Sequence, residues 1–306
     1  MISFIIIGKN EGWRLQKCLQ SISYVVEQDA IANYEIIYVD SQSTDNSIEL
    51  AKQYGAKTFL IRGECNAAIA RNIGAQEAIG DILFFIDGDM ELFPGFLPKV
   101  LNENGKLKYP FMSGIFNDIV HDLDWNYLHT SRRHKIQEGD ADAIETTTGG
   151  LFLINHSLWD EVGGMDTRFK RSQDYDLGLR LSQMGYSLHR KAILLANHYM
   201  RQYTIRNDYV GNVKYTALLL RKHWNNIDYL KIFLKQQYTT VLLLISIILS
   251  FVSPWFLFFY VGAISYKNLK QKNMTRWWNP MIRDCTLLWA LCFFVPKEYE
   301  LIYKQL

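Results

Sequence analysis

The chain has 306 residues, enough for one large domain or for one domain with an appendage. Its net charge of +2 is unevenly spread, because residues 1–199 carry 19 Lys and Arg against 26 Asp and Glu, whereas residues 200–306 carry 14 against 5. The four cysteines show no CxxC pair and no metal-ligand spacing, which argues against a disulfide framework and predicts reduced thiols in a cytosolic compartment.

The first two-thirds of the sequence alternates strand and helix patterns, which is typical of a mostly parallel sheet. The N-terminus lacks a basic region before its apolar run, so it is predicted to be a first strand and not a signal peptide. Residues 94–145 look less regular, and their basic stretch 131–135 indicates either a loop over a site or a solvated face. The predicted strands are 3–7, 34–39, 58–61, 82–86 and 149–154, and the predicted helices are 10–26, 47–54, 66–79 and 174–184.

The apolar strand 82–86 runs into Asp87, Gly88 and Asp89. Side chains two apart on an extended chain project the same way, so both aspartates are expected to aim together at the carboxyl end of a buried strand. Gly88 would let a ligand approach the backbone. Two carboxylates suit Mg²⁺ or Mn²⁺ shared with substrate phosphates, although a solvated Asp-Gly-Asp turn is the alternative.

Polar clusters also follow the first two predicted strands, at residues 8–12 and 40–45. The carboxyl ends of neighbouring parallel strands share one edge of the sheet, so these clusters should line one crevice with Asp87 and Asp89. Residues 8–12 lack the spacing of a Walker loop, and no GxGxxG follows the first strand. A dinucleotide site is therefore not expected.

An apolar stretch at 241–264 lies between Lys235 and Lys267, which bracket 31 uncharged residues. As one helix it would be roughly 36 Å long, enough for the ~30 Å hydrocarbon core of a bilayer. The alternatives are a re-entrant hairpin that turns at Ser253 and Pro254, or a buried helix of a soluble domain. Basic residues and tryptophans at 267–283 indicate a membrane surface, and the uncharged apolar stretch that they flank argues against nucleic acid.

The blocks 5–11, 39–47, 70–74, 80–89, 163–166 and 173–177, in this order and spacing, resemble those of family-2 inverting glycosyltransferases. The resemblance covers about residues 1–200. It implies the GT-A nucleotide-diphospho-sugar transferase fold, with a mostly parallel sheet and helices on both faces. The apolar stretch 241–264 and the basic residues after it predict that a helical membrane-attachment region follows this fold. The expected domains are therefore 1–215 and 216–306.

The resemblance also implies the roles of residues that bind the donor and the metal. Asp40 matches the aspartate that contacts the donor's uracil or ribose, and Asn10 and Glu11 match the loop that lines the base pocket. Arg71 matches a basic donor-side position. Asp87 and Asp89 match a DXD pair, with Asp89 as the direct metal ligand and Gly88 between them. His198 matches a further metal or diphosphate contact, or is a hydrogen-bonded residue at a strand end.

Asp174 matches the general base that deprotonates an acceptor hydroxyl, and its alternative is an acidic residue at a helix N-terminus. Gln173 replaces the glutamate that the family has before this aspartate, which puts the orientation of the acceptor in doubt. Thr148, Gly149 and Gly150 match the region where the family opens its acceptor site.

The resemblance implies transfer of one sugar from a nucleoside-diphosphate sugar, preferably a UDP-sugar, to an acceptor hydroxyl, with Mn²⁺ or Mg²⁺. The expected membrane attachment suggests that this hydroxyl belongs to a lipid-linked or envelope glycan. The processive signature QxxRW is absent, since Gln202 and Arg206 are one residue too far apart. The catalytic domain is expected on the cytoplasmic side of a membrane. The alternatives are a polyprenyl-phosphate sugar synthase, whose acceptor needs no base, and a non-catalytic, membrane-tethered binder of nucleotide sugars.

Overall fold

The computed structural model describes residues 1–202, 209–270 and 278–306. The chain forms two compact units, one of Met1–Tyr203 with Glu298–Leu306 and one of Thr204–Lys297. This division differs from the expected 1–215 and 216–306, because the last nine residues return to the first unit. The basic and Trp-containing positions Lys272, Arg276 and Trp277, and Arg206, lie outside the described residues.

The first unit contains one large sheet and six helices among its described residues. Its strands are β1 (Ile2–Gly8), β2 (Tyr34–Asp40), β3 (Lys57–Ile61), β4 (Ile82–Asp87), β5 (Met90–Leu92), β6 (Phe111–His121), β7 (Tyr127–Arg132), β8 (Ala143–Glu145), β9 (Phe152–Asn155), β10 (Leu188–Arg201) and β11 (Tyr303–Gln305). Its helices are α1 (Trp13–Gln28), α2 (Ser47–Gln53), α3 (Ala67–Gln76), α4 (Leu97–Val100), α5 (His156–Val162) and α6 (Gln173–Gln183).

The strand order is β11-β3-β2-β1-β4-β9-β6-β10-β5, with β7 beside β6 and β8 beside β10. Strands β3, β2, β1 and β4 run parallel, as does the pair β6 and β10. The other pairs, including β4 with β9, run antiparallel. The sheet is therefore mixed and not mostly parallel, in part because short links such as the one between β6 and β7 can join only antiparallel strands.

Helices cover both faces of this sheet, as predicted. On one face Leu15, Leu19 and Ile22 of α1 pack against the sheet, and on the other face Ile69 and Ile73 of α3 do so. The helical spacing of these residues produces the buried stripe of each helix. Strands β1 and β4 are buried on both faces, which explains their continuous apolar sequence.

The second unit is helical in its described part, with α7 (Tyr209–Lys222), α8 (Ile227–Gln236), α9 (Tyr238–Ser250), α10 (Leu257–Lys270) and α11 (Asn279–Phe293). The stretch 241–264 is not one helix. Helix α9 ends at Ser250, a 3₁₀ turn covers Pro254–Phe256, and α10 follows. Proline lacks an N–H and fits poorly inside a helix, so the break falls at the predicted turn.

A buried carboxylate joins three of these helices. Asp284 of α11 accepts hydrogen bonds from Thr240 Oγ1 of α9 at 2.8 Å and from Tyr260 OH of α10 at 3.1 Å, and Arg283 pairs with it at 2.8 Å. Within the described residues, no single helix has both the length and the apolar character to cross a bilayer. Helices α8 and α9 meet these criteria only as a pair, and the pair bends by 80°.

Candidate functional site

The carboxyl ends of β1, β2 and β4 lie at one level of the sheet. Their register places Gly8 beside Asp40 and Ile7 beside Asp87. The loops that follow these strands therefore start side by side, and together they form the crevice that the sequence predicts. Open α/β sheets bind ligands at this edge.

On the side of β1 and β2, hydrogen bonds join the two loops. Asn10, whose φ is 55°, donates from its backbone N–H to Ser43 Oγ at 2.9 Å, and its Oδ1 accepts from the N–H of Thr44 at 2.7 Å. Asp40 is fully buried and accepts from the N–H of Ser43 at 2.7 Å and from Tyr38 OH at 3.0 Å. Both carboxylate oxygens of Asp40 thus already accept protein hydrogen bonds, and the residue shapes this loop.

Asp87 and Asp89 have different partners. The buried Arg71 of α3 donates to Asp87 Oδ1 at 2.6 Å, whereas Asp89 Oδ2 lies 3.3 Å from His198 Nε2 and 3.4 Å from Arg14 Nη1. The chain turns at Gly88 and Asp89, so the alternation expected for an extended strand stops at Asp87. Burial raises the pKa of Asp87, and the Arg71 guanidinium opposes that rise.

His198 of β10 connects Asp89 to a second carboxylate. Its Nδ1 donates to Asp118 Oδ1 at 2.7 Å, and Arg133 Nη1 lies 3.2 Å from the same oxygen. Burial alone favours a neutral imidazole, but the hydrogen bonds to Asp118 and Asp89 outweigh burial and raise the pKa of His198 to about 10. Asp118 and His198 face each other because β6 and β10 pair in parallel at these positions.

Glu11 lies close to this pair of aspartates. Its Oε2 lies 2.6 Å from Arg14 Nη2, and its Cγ would lie 3.1 Å from a Cβ added at Gly88. Burial and, next, the charge of Asp89 raise the pKa of Glu11 to about 7, although Arg14 opposes the rise. Glu11 therefore belongs to the acidic side of the crevice, close to the DXD pair.

Part of this cluster fits a divalent cation. Asp89 Oδ1 is buried without a hydrogen-bond partner among the described residues, and the other carboxylate oxygen, Oδ2, faces His198 Nε2. Over the same described ranges, no three His, Cys, Asp or Glu side chains converge on one metal position. Magnesium and manganese commonly take one or two protein ligands and complete their shell with water and substrate phosphates. Asp89 therefore fits a cation that a phosphate helps to hold, and His198 would join it as a ligand only with the proton on Nε2 released, whereas Asp87 is paired with Arg71.

The glycine pair Gly149 and Gly150 connects the predicted base to this crevice. The N–H of Gly149 donates to Asp174 Oδ2 at 3.2 Å, and the N–H of Gly150 donates to Thr148 Oγ1 at 3.2 Å. Gly150 has a φ of 91°, and a Cβ added there would lie 2.4 Å from Asp87 Oδ2. Only glycine therefore fits between the DXD pair and the loop that holds Asp174.

The neighbouring Gln173 is the first residue of α6, and its Oε1 is buried without a hydrogen-bond partner in the described part of the chain. The structure thus brings the residues predicted for donor, metal and acceptor binding into one crevice of the first unit. Asn10 and Asp40 hold the loops after β1 and β2 together, and Arg71 pairs with Asp87.

Comparison with known proteins identifies the family. Residues 3–164, more than half of the chain, match the model of Glycosyl transferase family 2. The chain belongs to glycosyl transferase family 2. An uncharacterized glycosyltransferase of Haemophilus influenzae is 28% identical over 195 residues, which cover 60% of this chain and 62% of that protein. Polypeptide N-acetylgalactosaminyltransferase 6 of Homo sapiens is 27% identical over 221 residues, 61% of this chain and 35% of the relative.

Solved structures share the fold of this family member. The crystal structure of GalNAc-T7 with UDP, GalNAc and Mn²⁺ has a TM-score of 0.54 at 20% identity and covers 66% of this chain and 44% of its own. The structure of S. aureus TarS 1-349 with UDP-GlcNAc has a TM-score of 0.53 at 14% identity and covers 72% of this chain and 66% of its own. The alignments therefore leave a third or more of these relatives unmatched, and at this identity the likeness concerns the fold.

Arg190 is a residue of the transferase's site that sequence reasoning missed. It is fully buried and donates from Nε to Glu145 at 2.6 Å, from Nη1 to Ser113 Oγ at 3.0 Å, and from Nη2 to the carbonyl of Thr147 at 2.9 Å. It thus fixes the segment that leads into Thr148 and Gly149. In the sequence it is one charged residue between His189 and Lys191, with no local signal of burial.

Asp118, Arg14 and Arg133 were also missed. Asp118 stands in a region that looked irregular but forms β6, and its pairing with His198 depends on strand register. Arg14 reaches both Glu11 and Asp89 from the first turn of α1. Glu11 and Arg14 are three residues apart, a spacing that brings side chains together on a helix, and this was the one available signal.

Proposed function

We propose that this chain transfers a single sugar from a UDP-sugar to an acceptor hydroxyl, with inversion at the anomeric carbon. The observation that carries the proposal is the chain of contacts from Asp174 through Gly149 and Gly150 to Asp87. It joins a carboxylate suited to act as a base to a crevice suited to a diphosphate. The donor diphosphate and the acceptor hydroxyl would then bind on the two sides of Gly149 and Gly150.

Several features of the crevice support a nucleoside-diphosphate donor. Arg14 and Arg71 supply buried or half-buried positive charge beside Asp89 and Asp87, where phosphates bring negative charge. The GalNAc-T7 structure holds UDP and Mn²⁺, and the TarS structure holds UDP-GlcNAc. By extension from these fold relatives we place the uridine diphosphate of this transferase at the carboxyl ends of β1, β2 and β4.

Asp174 would act as the general base. Its Oδ2 accepts from Gly149, so the carboxylate is anchored in place and its other oxygen can take the hydroxyl proton. As that proton leaves, the acceptor oxygen forms a bond to the anomeric carbon from one side while the bond to the diphosphate oxygen breaks on the other. The Oε1 of Gln173, which has no partner among the described residues, can accept a hydrogen bond from a second hydroxyl of the acceptor.

Asp89 would hold the divalent cation, and His198 would be a second ligand once the proton on its Nε2 is released. A bound Mn²⁺ or Mg²⁺ neutralises charge on the leaving diphosphate. Arg71 keeps Asp87 oriented towards the crevice, and Asp118 and Arg133 keep the imidazole of His198 turned towards Asp89.

We propose further that the second unit contacts an anionic membrane surface, which would supply a lipid-linked acceptor on the cytoplasmic side. The turn between α9 and α10 and the first turn of α10 expose large apolar side chains, with Phe251 89%, Trp255 74% and Phe259 72% exposed. Such a patch marks an interaction surface, and residues 204–297 carry 12 Lys and Arg against 3 Asp and Glu, which suits anionic headgroups. Flotation with anionic vesicles tests this: serine at these three positions should abolish binding, whereas Trp224→Ser, at a residue 69% exposed elsewhere in the unit, should not.

Release of nucleoside diphosphate from a panel of UDP-, GDP- and dTDP-sugars tests the proposed reaction. We expect slow hydrolysis of one UDP-sugar with Mn²⁺, its loss with a chelator, and its loss in Asp89→Ala. Hydrolysis in Asp160→Asn, a change at an exposed carboxyl on α5, should match the wild type. Absence of both turnover and donor binding across the panel would contradict the proposal and favour a non-catalytic role.

A further inference from the structure

A cavity of about 160 Å³ lies in the first unit, between the paired strands β6 and β10 and the segment 132–138. We call it the His134 cavity. It is several times larger than the 10–15 Å³ that one water requires. Its lining includes Ile115, Phe116, Asn117, His134, Glu138 and Leu194. None of these residues belongs to the donor, metal or base positions described above.

His134 borders this cavity, and one of its ring nitrogens has no partner in the described part of the chain. Its side chain is only 9% exposed, and its Nε2 is buried with no hydrogen-bond partner over the ranges that the structure describes. The nearest carboxylate oxygen, Glu145 Oε2, is 3.9 Å from Nδ1, too far for a hydrogen bond. Burial, followed by the charges of Arg190 and Arg133, lowers the pKa of His134 to about 3, so the ring is neutral. A buried imidazole without a partner is unfavourable unless something bonds to it.

Phe116 connects the cavity to the transfer site. Its ring centroid lies 4.7 Å from that of His134 and 6.5 Å from that of His198. A Cβ added at Gly149 would lie 3.1 Å from Phe116 Cζ, and the Arg133 guanidinium sits over the same ring at 5.3 Å. The ring of Phe116 thus lies between the cavity and both His198, at the cation position, and Gly149, which holds Asp174.

The strand order places the cavity on the acceptor side of the site. In the order β2-β1-β4-β9-β6-β10, the loops assigned to the donor base follow β2 and β1, whereas the cavity lies on β6 and β10. Strands are about 4.8 Å apart, so β2 and β6 are separated by roughly 19 Å. Gly149 and Asp174, which would meet the acceptor, lie between these two regions.

We propose that the His134 cavity is an acceptor subsite that binds a sugar unit next to the hydroxyl that is glycosylated. A sugar ring presents hydroxyls and an apolar face of C–H groups. Asn117, Glu138 and the Nε2 of His134 can hydrogen-bond to the hydroxyls, and Phe116, Ile115 and Leu194 can pack against the apolar face. This inference rests on the proposed transferase function, and it specifies a glycan and not a bare lipid next to the reacting group.

The test is saturation-transfer NMR on the full chain with UDP and Mn²⁺ present, using methyl glycosides of glucose, galactose and N-acetylglucosamine as probes. We expect at least one glycoside to bind at millimolar concentration. His134→Leu, which removes the hydrogen-bonding nitrogen, and Leu194→Trp, which fills the cavity, should each weaken it roughly tenfold or more. His134→Gln should recover part of the binding, and His129→Leu, at an exposed histidine of β7, should leave it unchanged.

Absence of binding by every glycoside, or equal binding by His134→Leu and the wild type, would overturn the proposal. Displacement of the glycoside when the UDP-sugar replaces UDP would also overturn it, because the cavity would then hold the donor's own sugar. Affinity for UDP with Mn²⁺ should stay within about twofold in all these variants. If the wild type did not bind UDP with Mn²⁺ at all, that result would instead contradict the proposed function, whatever the glycosides do.

Discussion

Gly149 donates its backbone N–H to Oδ2 of Asp174 at 3.2 Å, so the predicted base is held by the same loop that touches the DXD pair. The next residue, Gly150, abuts Asp87 so closely that a Cβ would lie 2.4 Å from Oδ2. The acceptor loop therefore sets the distance between the base and the donor crevice. Changes on either side of these glycines should separate donor binding from transfer.

Replacing Asp174 with Asn keeps the size of the side chain and its hydrogen bond from Gly149 but removes the base. We expect transfer to a hydroxyl acceptor to fall by roughly 10²–10⁴-fold, while affinity for UDP changes less than about twofold. Asp160→Asn, at a side chain 72% exposed on α5, is the matched control. Nearly unchanged turnover in Asp174→Asn would instead indicate a phosphate acceptor, which needs no base.

Two glycines have similar backbone angles, but only one of them packs against a site residue. Comparing alanine at the two positions therefore distinguishes the effect of backbone strain from that of a steric clash. Gly150 and Gly139 have φ values of 91° and 86°, so alanine at either position carries a similar backbone cost of about 1 kcal/mol or more. A Cβ at Gly139 meets nothing within 4 Å, whereas one at Gly150 collides with Asp87. We expect Gly150→Ala to lose UDP-sugar turnover at least tenfold more than Gly139→Ala, measured at saturating Mn²⁺.

If the two alanine variants lost turnover equally, the close packing of Gly150 against Asp87 would not matter for function. Their melting temperatures, measured in parallel, should be similar. A much lower melting temperature for Gly150→Ala would mean that the collision unfolds the unit and does not act locally.

Arg190 should be important for folding as well as for the acceptor loop. Arg190→Met leaves the acceptors of a fully buried guanidinium without partners, and we expect a loss of roughly 3–5 kcal/mol in the free energy of unfolding by urea. The adjacent Lys191→Met removes a partly exposed pair with Asp142 and should cost about 1 kcal/mol or less. Similar losses in both variants would show that the Arg190 network contributes little.

The buried imidazole of His134 predicts a pH dependence of stability. The unfolded state takes up a proton below the ordinary pKa of about 6.5, whereas the folded state does so only near a pKa of about 3. Between these values the unfolded state binds more protons, so stability falls as the pH falls, by up to about 1.4 kcal/mol per pH unit.

Urea unfolding of the wild type and of His134→Leu between pH 6.5 and 4.5 isolates this effect. The titrating carboxylates are common to both proteins, so the wild type should lose stability more steeply than the variant. Parallel pH dependences would mean that His134 titrates normally and is not buried as described.

Much of the first unit followed from local sequence patterns. The apolar runs of β1, β2 and β4 and the helical spacing of α1 and α3 predicted the crevice, because both signals depend on neighbouring residues. Strands β5, β6, β7, β8, β10 and β11 are not among the predicted strands. Strand β7 is exposed along most of its length and so lacks apolar alternation, and β11 is a three-residue edge strand that pairs with β3, far away in the sequence.

Within the site, too, the residues of local motifs were predicted, whereas contacts between distant parts of the sequence were not. Asp87, Asp89 and Asp174 stand in local motifs and were predicted. The pairing of Asp118 with His198 depends on register between strands that are 80 residues apart in the sequence, and the burial of Arg190 depends on the carbonyls of a distant loop. The reason given for Asp87 and Asp89 pointing together, alternation along one strand, does not hold, because the chain turns after Asp87, although burial raises the pKa of Asp87 and the charge of Asp89 still adds to that rise.

The most direct test of the central claim is calorimetric titration of UDP into the full chain, with Mn²⁺ and again with a chelator. Asp89 and His198 are proposed to hold a cation that the diphosphate helps to bind, so the account predicts that removing Mn²⁺ weakens UDP binding at least tenfold. Asp89→Asn with Mn²⁺ should show the same loss, and Asp160→Asn should bind as the wild type does. Equal UDP affinity with Mn²⁺ and with the chelator, unchanged in Asp89→Asn, would contradict the account.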